Sequence, residues 1–169
     1  MKQLLIVWHS CTGAARQMAD AAARGAAAAA AQLEQADELR IELRRASDTD
    51  ADALLASQGY LFCAPENLAS LSGEMKEFFD RNYYAVLDRI QGLPYAAMIS
   101  AGSDGAGAAR QVERICTGWR LGAVAPALIV NMGAQTAAQI LAPKTVARPE
   151  LAKCEELGGL LAGMMLMGA

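Results

Sequence analysis

At 169 residues, 54% hydrophobic and 20% charged, the chain is long enough to bury a substantial core and too apolar to be disordered. A formal net charge of -3 and a pI near 5.2 give neither the basic stripe of a nucleic-acid-binding protein nor the dense acidic face of a strongly steered partner. Cys11, Cys63, Cys116 and Cys154 stand far apart with no C-x-x-C pair and His9 is the only histidine, which argues against a disulfide scaffold and a zinc knuckle, excludes a multi-histidine metal site, and fits reduced thiols in the cytoplasm.

Leu4–Trp8 is an unbroken apolar run, the pattern of a strand buried on both faces. Preceded by Met1-Lys2, it faintly resembles a secretion signal, but it is too short and no small-residue cleavage site follows. His9–Ala15 is a turn of hydroxyls and small side chains, and from Ala15 the chain reads as helix, with Ala26–Ala31 a plain helix-forming run. Strand, hydroxyl-bearing turn and helix start together make an anion site. The first N–H groups of the helix lack intrahelical partners, Ser10 and Thr12 add hydroxyls, and Gly13 lets the backbone come close to a ligand. The turn therefore reads as a phosphate cradle.

Leu39, Ile41 and Leu43 alternate with Arg40, Glu42 and Arg44, as in a half-exposed strand at a sheet edge. Thr49–Ser57 reads as a short helix and Gly59–Ala64 as a central strand. Pro65–Ser72 is expected to be a loop and Gly73–Ile90 an amphipathic helix, broken by Gly92-Leu93-Pro94. Tyr95–Ala101 is a further strand, Gly102–Gly105 a turn, Ala106–Leu121 a helix and Ala125–Asn131 the fifth strand. A less regular stretch through Pro143 and Pro149 leads to a last helix from Glu150. The apolar run at Gly158–Ala169 is far short of the roughly 20 residues needed to cross a bilayer. No membrane insertion is expected.

Five alternations of strand and helix predict one α/β domain over residues 1–169, a parallel sheet covered on both faces. An edge position for the second strand favours the order 2-1-3-4-5, with the ligand crevice between strands one and three at their carboxyl ends. The loops Ser10–Ala15, Pro65–Ser72 and Ser100–Gly105 then converge on one site. An apolar fifth strand at a sheet edge needs protection, so either the Met132–Arg148 segment or a second subunit is expected over it, the latter giving a homodimer or homotetramer.

Several sharper motifs yield to plainer readings. Cys11 reads as a small residue of the phosphate loop and His9 as a loop histidine near the ligand, with no sequence neighbour to orient it. Gly105-Ala106-Gly107 is no dinucleotide fingerprint, because Arg110 holds the third glycine position. Ala64-Pro65 stands where a receiver domain needs its acceptor aspartate. Tyr83, Tyr84, Trp119 and the methionines at 164, 165 and 167 read as core or interface.

Ser10-Cys11-Thr12-Gly13, the block Pro65–Arg81 and Ser100-Ala101-Gly102 resemble the flavodoxin-like FMN proteins, on the branch of NAD(P)H:quinone reductases and FMN reductases. The resemblance covers roughly residues 1–131 in element order, and Pro65–Arg81 is its most specific part. It implies a three-layer flavodoxin-like fold with FMN as cofactor. Ser10, Cys11, Thr12, Gly13, Ala14 and Ala15 would hold the phosphate, which the loop does without a lysine. Pro65, Glu66, Asn67, Leu68, Ala69 and Ser70 would border the ribityl chain and ring, and Ser100, Ala101, Gly102, Ser103 and Asp104 would flank the ring from the other side. Small residues such as Ala69, Ser70 and Gly102 permit the close backbone approach a flavin needs.

Two departures from carrier flavodoxins favour hydride chemistry between NAD(P)H and a small acceptor such as a quinone. The ring-facing loops hold no Trp or Tyr, and the net charge is modest. The second loop also departs from the quinone-reductase branch, lacking the aromatic residue and the glycine expected near Leu68 and Ala69. No side chain stands out as a catalytic acid or base. A one-electron carrier and a module without flavin are the alternatives.

Overall fold

Lys2–Trp8 forms β1, and every side chain from Leu4 to Trp8 is buried, as an uninterrupted apolar run requires. The structure of the protein, a computed structural model, describes residues 1–168. The chain continues through α1 (Ala14–Gln32), β2 (Leu39–Arg45), α2 (Ala51–Leu55), β3 (Gly59–Asn67), β4 (Ser70–Leu71) and α3 (Gly73–Val86). Then come β5 (Pro94–Ala101), α4 (Ala106–Gly118), β6 (Gly122–Ala123), β7 (Leu128–Asn131), α5 (Ala137–Leu141) and α6 (Arg148–Met167).

The parallel ladder runs β2-β1-β3-β5, with β6 and β7 both paired to the far side of β5. This is the expected order, with the fifth position shared by two short segments. Pro126 explains the split: it has no N–H to give a ladder, and the next N–H, on Ala127, goes to the Glu113 carboxylate at 3.3 Å. Glu42 on the β2 edge is bound by Arg44 at 2.5 Å and by Gln3 at 2.9 Å, a charged border that resists pairing with another chain.

Side-chain alternation divides the core in two. Leu4, Ile6, Leu61, Cys63, Ala96 and Met98 face α1 and α6, while Leu5, Val7, Tyr60, Phe62, Tyr95 and Ile99 face α2, α3 and α4. The alanine run of α1 does more than favour helix. A Cβ on Gly158 of α6 would lie 2.1 Å from the Ala22 carbonyl oxygen, and one on Gly25 would lie 1.9 Å from that of Glu155, so the two helices pack backbone to backbone.

Several element boundaries move by a few residues, with α2 spanning Ala51–Leu55 instead of Thr49–Ser57 and α4 ending at Gly118 instead of Leu121. Helix α1 begins at Ala14, α3 stops at Val86 before Asp88 turns to φ 59°, and α6 begins at Arg148 because Pro149 suits a first helical turn. The larger correction is at Pro65–Ser72, which is no loop. β3 runs on to Asn67 and pairs antiparallel with β4, Glu66 opposite Leu71 and Asn67 opposite Ser70. The two turn residues, Leu68 and Ala69, take φ of 52° and 61°. Such a tight hairpin demands left-handed residues at both central positions, which usually means Asn-Gly. Holding Leu and Ala there costs about 1–2 kcal/mol each. The Met132–Arg148 segment does not serve the β7 edge: Met132 and Ala134 N–H donate to the Ala101 and Gly102 carbonyls after β5, Lys144 and Val146 are tied to the turn after β1 and to Gln17 of α1, and the groove at that edge is lined by Pro126–Ile129 and by α6.

Candidate functional site

The turn after β1 is built from its own atoms. Gly13 takes φ 98° at the start of α1, and its N–H donates to Ser10 Oγ at 3.0 Å. Behind it the first N–H groups of α1 point at the turn, free of intrahelical partners. The distant segment closes over this turn, as Lys144 N–H donates to the Thr12 carbonyl at 2.8 Å. Gln17 clamps the joint from below: Nε2 donates to the carbonyls of Gly13 and Lys144, and Oε1 accepts from Val146 N–H at 3.1 Å.

A cavity of about 210 Å³ opens here at the carboxyl ends of β1, β3 and β5, at the point where the strand order reverses. Of the residues foreseen for the site, Cys11, Thr12, Ala14, Pro65, Glu66, Asn67, Ser100, Ala101 and Gly102 line it. The others stand off its wall. Ser10 and Gly13 shape the turn, Ala15 is buried in the core, and Leu68 and Ala69 form the exposed hairpin tip. Ser70 Oγ donates to Gln111 Oε1 on α4 at 2.7 Å. Asp104 accepts from the Ala106 N–H, and the Ser103 carbonyl accepts from Asn131 Nδ2. Gly102 also serves a different purpose from the one foreseen: a Cβ there would meet the Ala134 carbonyl at 2.7 Å, so its missing side chain makes room for the chain after β7.

That segment supplies wall residues absent from the sequence reading: Met132, Ala134, Ile140, Leu141 and Lys144. One local signal was present, the capping box in which Thr136 and Gln139 exchange bonds at the start of α5. Lys144 Nζ donates to the carbonyls of Gln139, Ile140 and Ala142 at 2.6, 3.0 and 2.6 Å, which fixes a positive charge in the wall beside Thr12. So the turn has no lysine of its own, and the fold brings one to it. His9 also has partners after all. Nδ1 lies 2.7 Å from the hydroxyl of buried Ser72, and Nε2 lies 3.5 Å from Glu74 Oε2. Both are more than 60 residues away along the chain.

Electrostatically the cavity suits an anion. Its one wall carboxylate, Glu66, spends both oxygens on α4, accepting from Gly105 N–H at 2.9 Å and Ala108 N–H at 3.0 Å. The positive end of that helix offsets the charge. The Thr12 hydroxyl and the first-turn N–H groups of α1 remain to receive a phosphate, and the Lys144 charge, its N–H groups spent on carbonyls, favours one through its field. Met132, Ile140, Leu141 and Pro65 give the apolar surface a flat ring needs. The donor set fits FMN. Among the described residues no cluster of three or more His, Cys, Asp or Glu is placed to hold a metal, and no helix is long and apolar enough to cross a membrane.

Sheet order, with the turn after β1, the β3–β4 hairpin and the turn after β5 meeting at its carboxyl end, defines a flavodoxin-like α/β protein, and solved structures agree. A flavodoxin from the domain Archaea superposes with a TM-score of 0.76 at 17% identity, covering 97% of this chain and 99% of that one. An oxidoreductase from Corynebacterium diphtheriae gives 0.77 at 19%, covering 100% and 99%. A flavodoxin-fold, WrbA-like protein from Agrobacterium tumefaciens gives 0.67 at 17%, covering all of both chains. No curated protein sequence matches. The profile of the NADPH-dependent FMN reductase family matches residues 9–137, and the chain belongs to that family.

Proposed function

We propose that the chain binds FMN non-covalently in the carboxyl-end cavity and, so loaded, passes reducing equivalents from NAD(P)H to a small-molecule acceptor such as a quinone. The observation that carries this reading is the cavity itself, a hydroxyl-bearing turn and an apolar wall at the strand-order reversal, with both oxygens of its one carboxylate already bound by the start of α4. Bound FMN supplies hydride acceptance and donation. The chain's own share is binding and orientation. Thr12 and the start of α1 hold the phosphate with the Lys144 charge beside them, Asn67 and Ser100 offer polar groups further along, and Met132, Ile140 and Leu141 keep water from the ring. Three buried free thiols and one exposed one suit a reducing compartment, the cytoplasm. A second subunit over the β7 edge belongs to the same reading, and light scattering that shows a monomer removes it.

The test is an FMN titration followed by visible absorbance, then NADPH and a quinone in turn. Uptake of FMN, bleaching by NADPH and recolouring by the quinone are expected. A flavin that is bound but ignores both nicotinamide nucleotides replaces the reductase with an electron carrier, and a chain that takes up no FMN removes both.

A further inference from the structure

Two assemblies bound the cavity, and each is held together separately. On one side stands the turn after β1. Lys144 N–H donates to the Thr12 carbonyl, and Gln17 of α1 donates to the carbonyls of Gly13 and Lys144. On the other side stands the β3–β4 hairpin, fixed to α4. Glu66 accepts from Gly105 and Ala108 N–H, and Gln111 Oε1 accepts from Ser70 Oγ and Leu71 N–H, both at 2.7 Å. Where the β1–β3 ladder ends, His9 N–H gives a last bond to the Cys63 carbonyl at 3.0 Å. Beyond it, among the described residues, two polar side-chain links cross from the turn to the hairpin and α3. One is a 3.9 Å approach of Asn67 Nδ2 to Cys11 Sγ, and the other is made by His9.

The His9 link is the firmer. Nδ1 lies 2.7 Å from Oγ of Ser72, which joins β4 to α3 and whose own N–H donates to the Pro65 carbonyl at 3.1 Å. Nε2 lies 3.5 Å from Glu74 Oε2 in the first turn of α3, and the other oxygen of that carboxylate is buried without a hydrogen-bond partner. Serine, histidine and carboxylate in a row are the parts of a nucleophilic relay. Here Ser72 is fully buried and out of a substrate's reach, so the row holds position instead of reacting. It holds in either charge state of the imidazole. A carboxylate only accepts, which keeps a hydrogen on Nε2, and a hydroxyl can donate to Nδ1 or accept from it.

We propose that His9 is a positioning residue for the cofactor site: by pinning the turn after β1 to Ser72 it sets the gap between the phosphate-receiving turn and the hairpin that borders the flavin ring, so that one FMN engages both. The proposal rests on the FMN reading above. His9 does not line the cavity, so its loss removes no contact to the ligand. Nor does its loss dismantle either wall, because Gln17 and Lys144 hold one and α4 holds the other. What changes is their spacing. A ligand that bridges two walls depends on that spacing, and a ligand that touches one wall does not.

The test titrates FMN and riboflavin, followed by quenching of flavin fluorescence, into wild type, His9→Ala, Ser72→Ala, the double variant and His9→Asn. The melting temperature of each apoprotein checks folding. FMN binding is expected to weaken roughly 10- to 100-fold in His9→Ala and in Ser72→Ala. The double variant loses no more than either single one, since both break the same link. Riboflavin, which lacks the phosphate and engages one wall, stays within about threefold. His9→Asn, whose amide places a polar atom where Nδ1 stands, recovers most of the FMN affinity. Unchanged FMN affinity, equal losses for FMN and riboflavin, additive losses in the double variant, or no recovery with asparagine overturns the proposal. If His9→Ala does not fold, Ser72→Ala decides, because it removes one hydroxyl from a helix start that this hydroxyl does not cap. A wild type that takes up no FMN defeats the FMN reading and the proposal together, whereas variants that bind FMN like wild type defeat the proposal alone.

Discussion

The two faces of the sheet solve the same packing problem in opposite ways. Toward α1 and α6 the filling is alanine, glycine and aliphatic side chains with Trp8 the one ring, and helix backbones touch. Toward α3 and α4 it is aromatic. Phe62 lies 4.9 Å from Phe79 and 6.3 Å from Trp119, centroid to centroid, with Phe78, Tyr60 and Tyr95 around them. Large rings hold helices away from the sheet, and small side chains let helices close on one another. The difference carries through to the site. The close-packed α1 brings its N-terminus to the turn after β1, while α4, on the aromatic side, holds the β3–β4 hairpin through Glu66, Gly107 and Gln111.

The largest test falls on the aromatic side. Phe62→Ala leaves a cavity among rings that cannot collapse, and unfolding by urea is expected to show a loss of about 3–5 kcal/mol. A loss below about 1 kcal/mol means that the rings repack, contrary to the contrast drawn. On the other face Gly158→Ala probes the sign. In an ordinary helix interior that change gains close to 1 kcal/mol. Here the added methyl meets the Ala22 carbonyl, and a net loss of roughly 1–3 kcal/mol is expected. A stabilised variant means that the helices stand further apart.

Alkaline pH strains both faces together. Burial raises the thiol of Cys63 well above its ordinary value and that of Cys154 to about 12, both on the α1/α6 side. Cys116, Tyr60 and Tyr95 on the aromatic side are raised by the same cause. In each case the folded state keeps its proton longer than the unfolded chain. Their contribution is thus whole below the unfolded thiol value, near 8.5, and falls as pH climbs toward the folded values, by up to about 1.4 kcal/mol per pH unit for each group. Melting temperature under reducing conditions should be flat from pH 7 to 8 and fall from about pH 9 upward. A flat profile to pH 10.5 contradicts the burial.

The smallest effect is a gain. Replacing Leu68→Asn and Ala69→Gly relieves two left-handed residues and is expected to add about 1 kcal/mol. If flavin affinity falls as thermal stability rises, the strain at the tip serves binding. If affinity is unchanged, Leu68 and Ala69 are ordinary turn residues.

Local patterns carried much of this. The buried run of β1, the charged alternation of β2 and the hydroxyl turn before α1 depend on neighbours in sequence, so strand order and the turn that opens on the cavity were readable. The β3–β4 hairpin was not, because Leu68-Ala69 lacks the Asn-Gly signal and its conformation is imposed by Gln111 and Glu66 acting across to α4. Lys144 and the Ser72 and Glu74 partners of His9 were hidden for a similar reason, since nothing local announces an approach across 60 or more residues.

What the sequence by itself determined was the alternation of elements, and with it a parallel sheet whose crevice lies where its order reverses. Hydrophobic period and glycine placement act over a few residues and need no tertiary context. Only the tertiary structure decided which loop residues face the cavity, where its lysine comes from, and how two alanine- and glycine-rich helices close on each other. Those depend on contacts between distant segments, and packing fixes them once the sheet has formed.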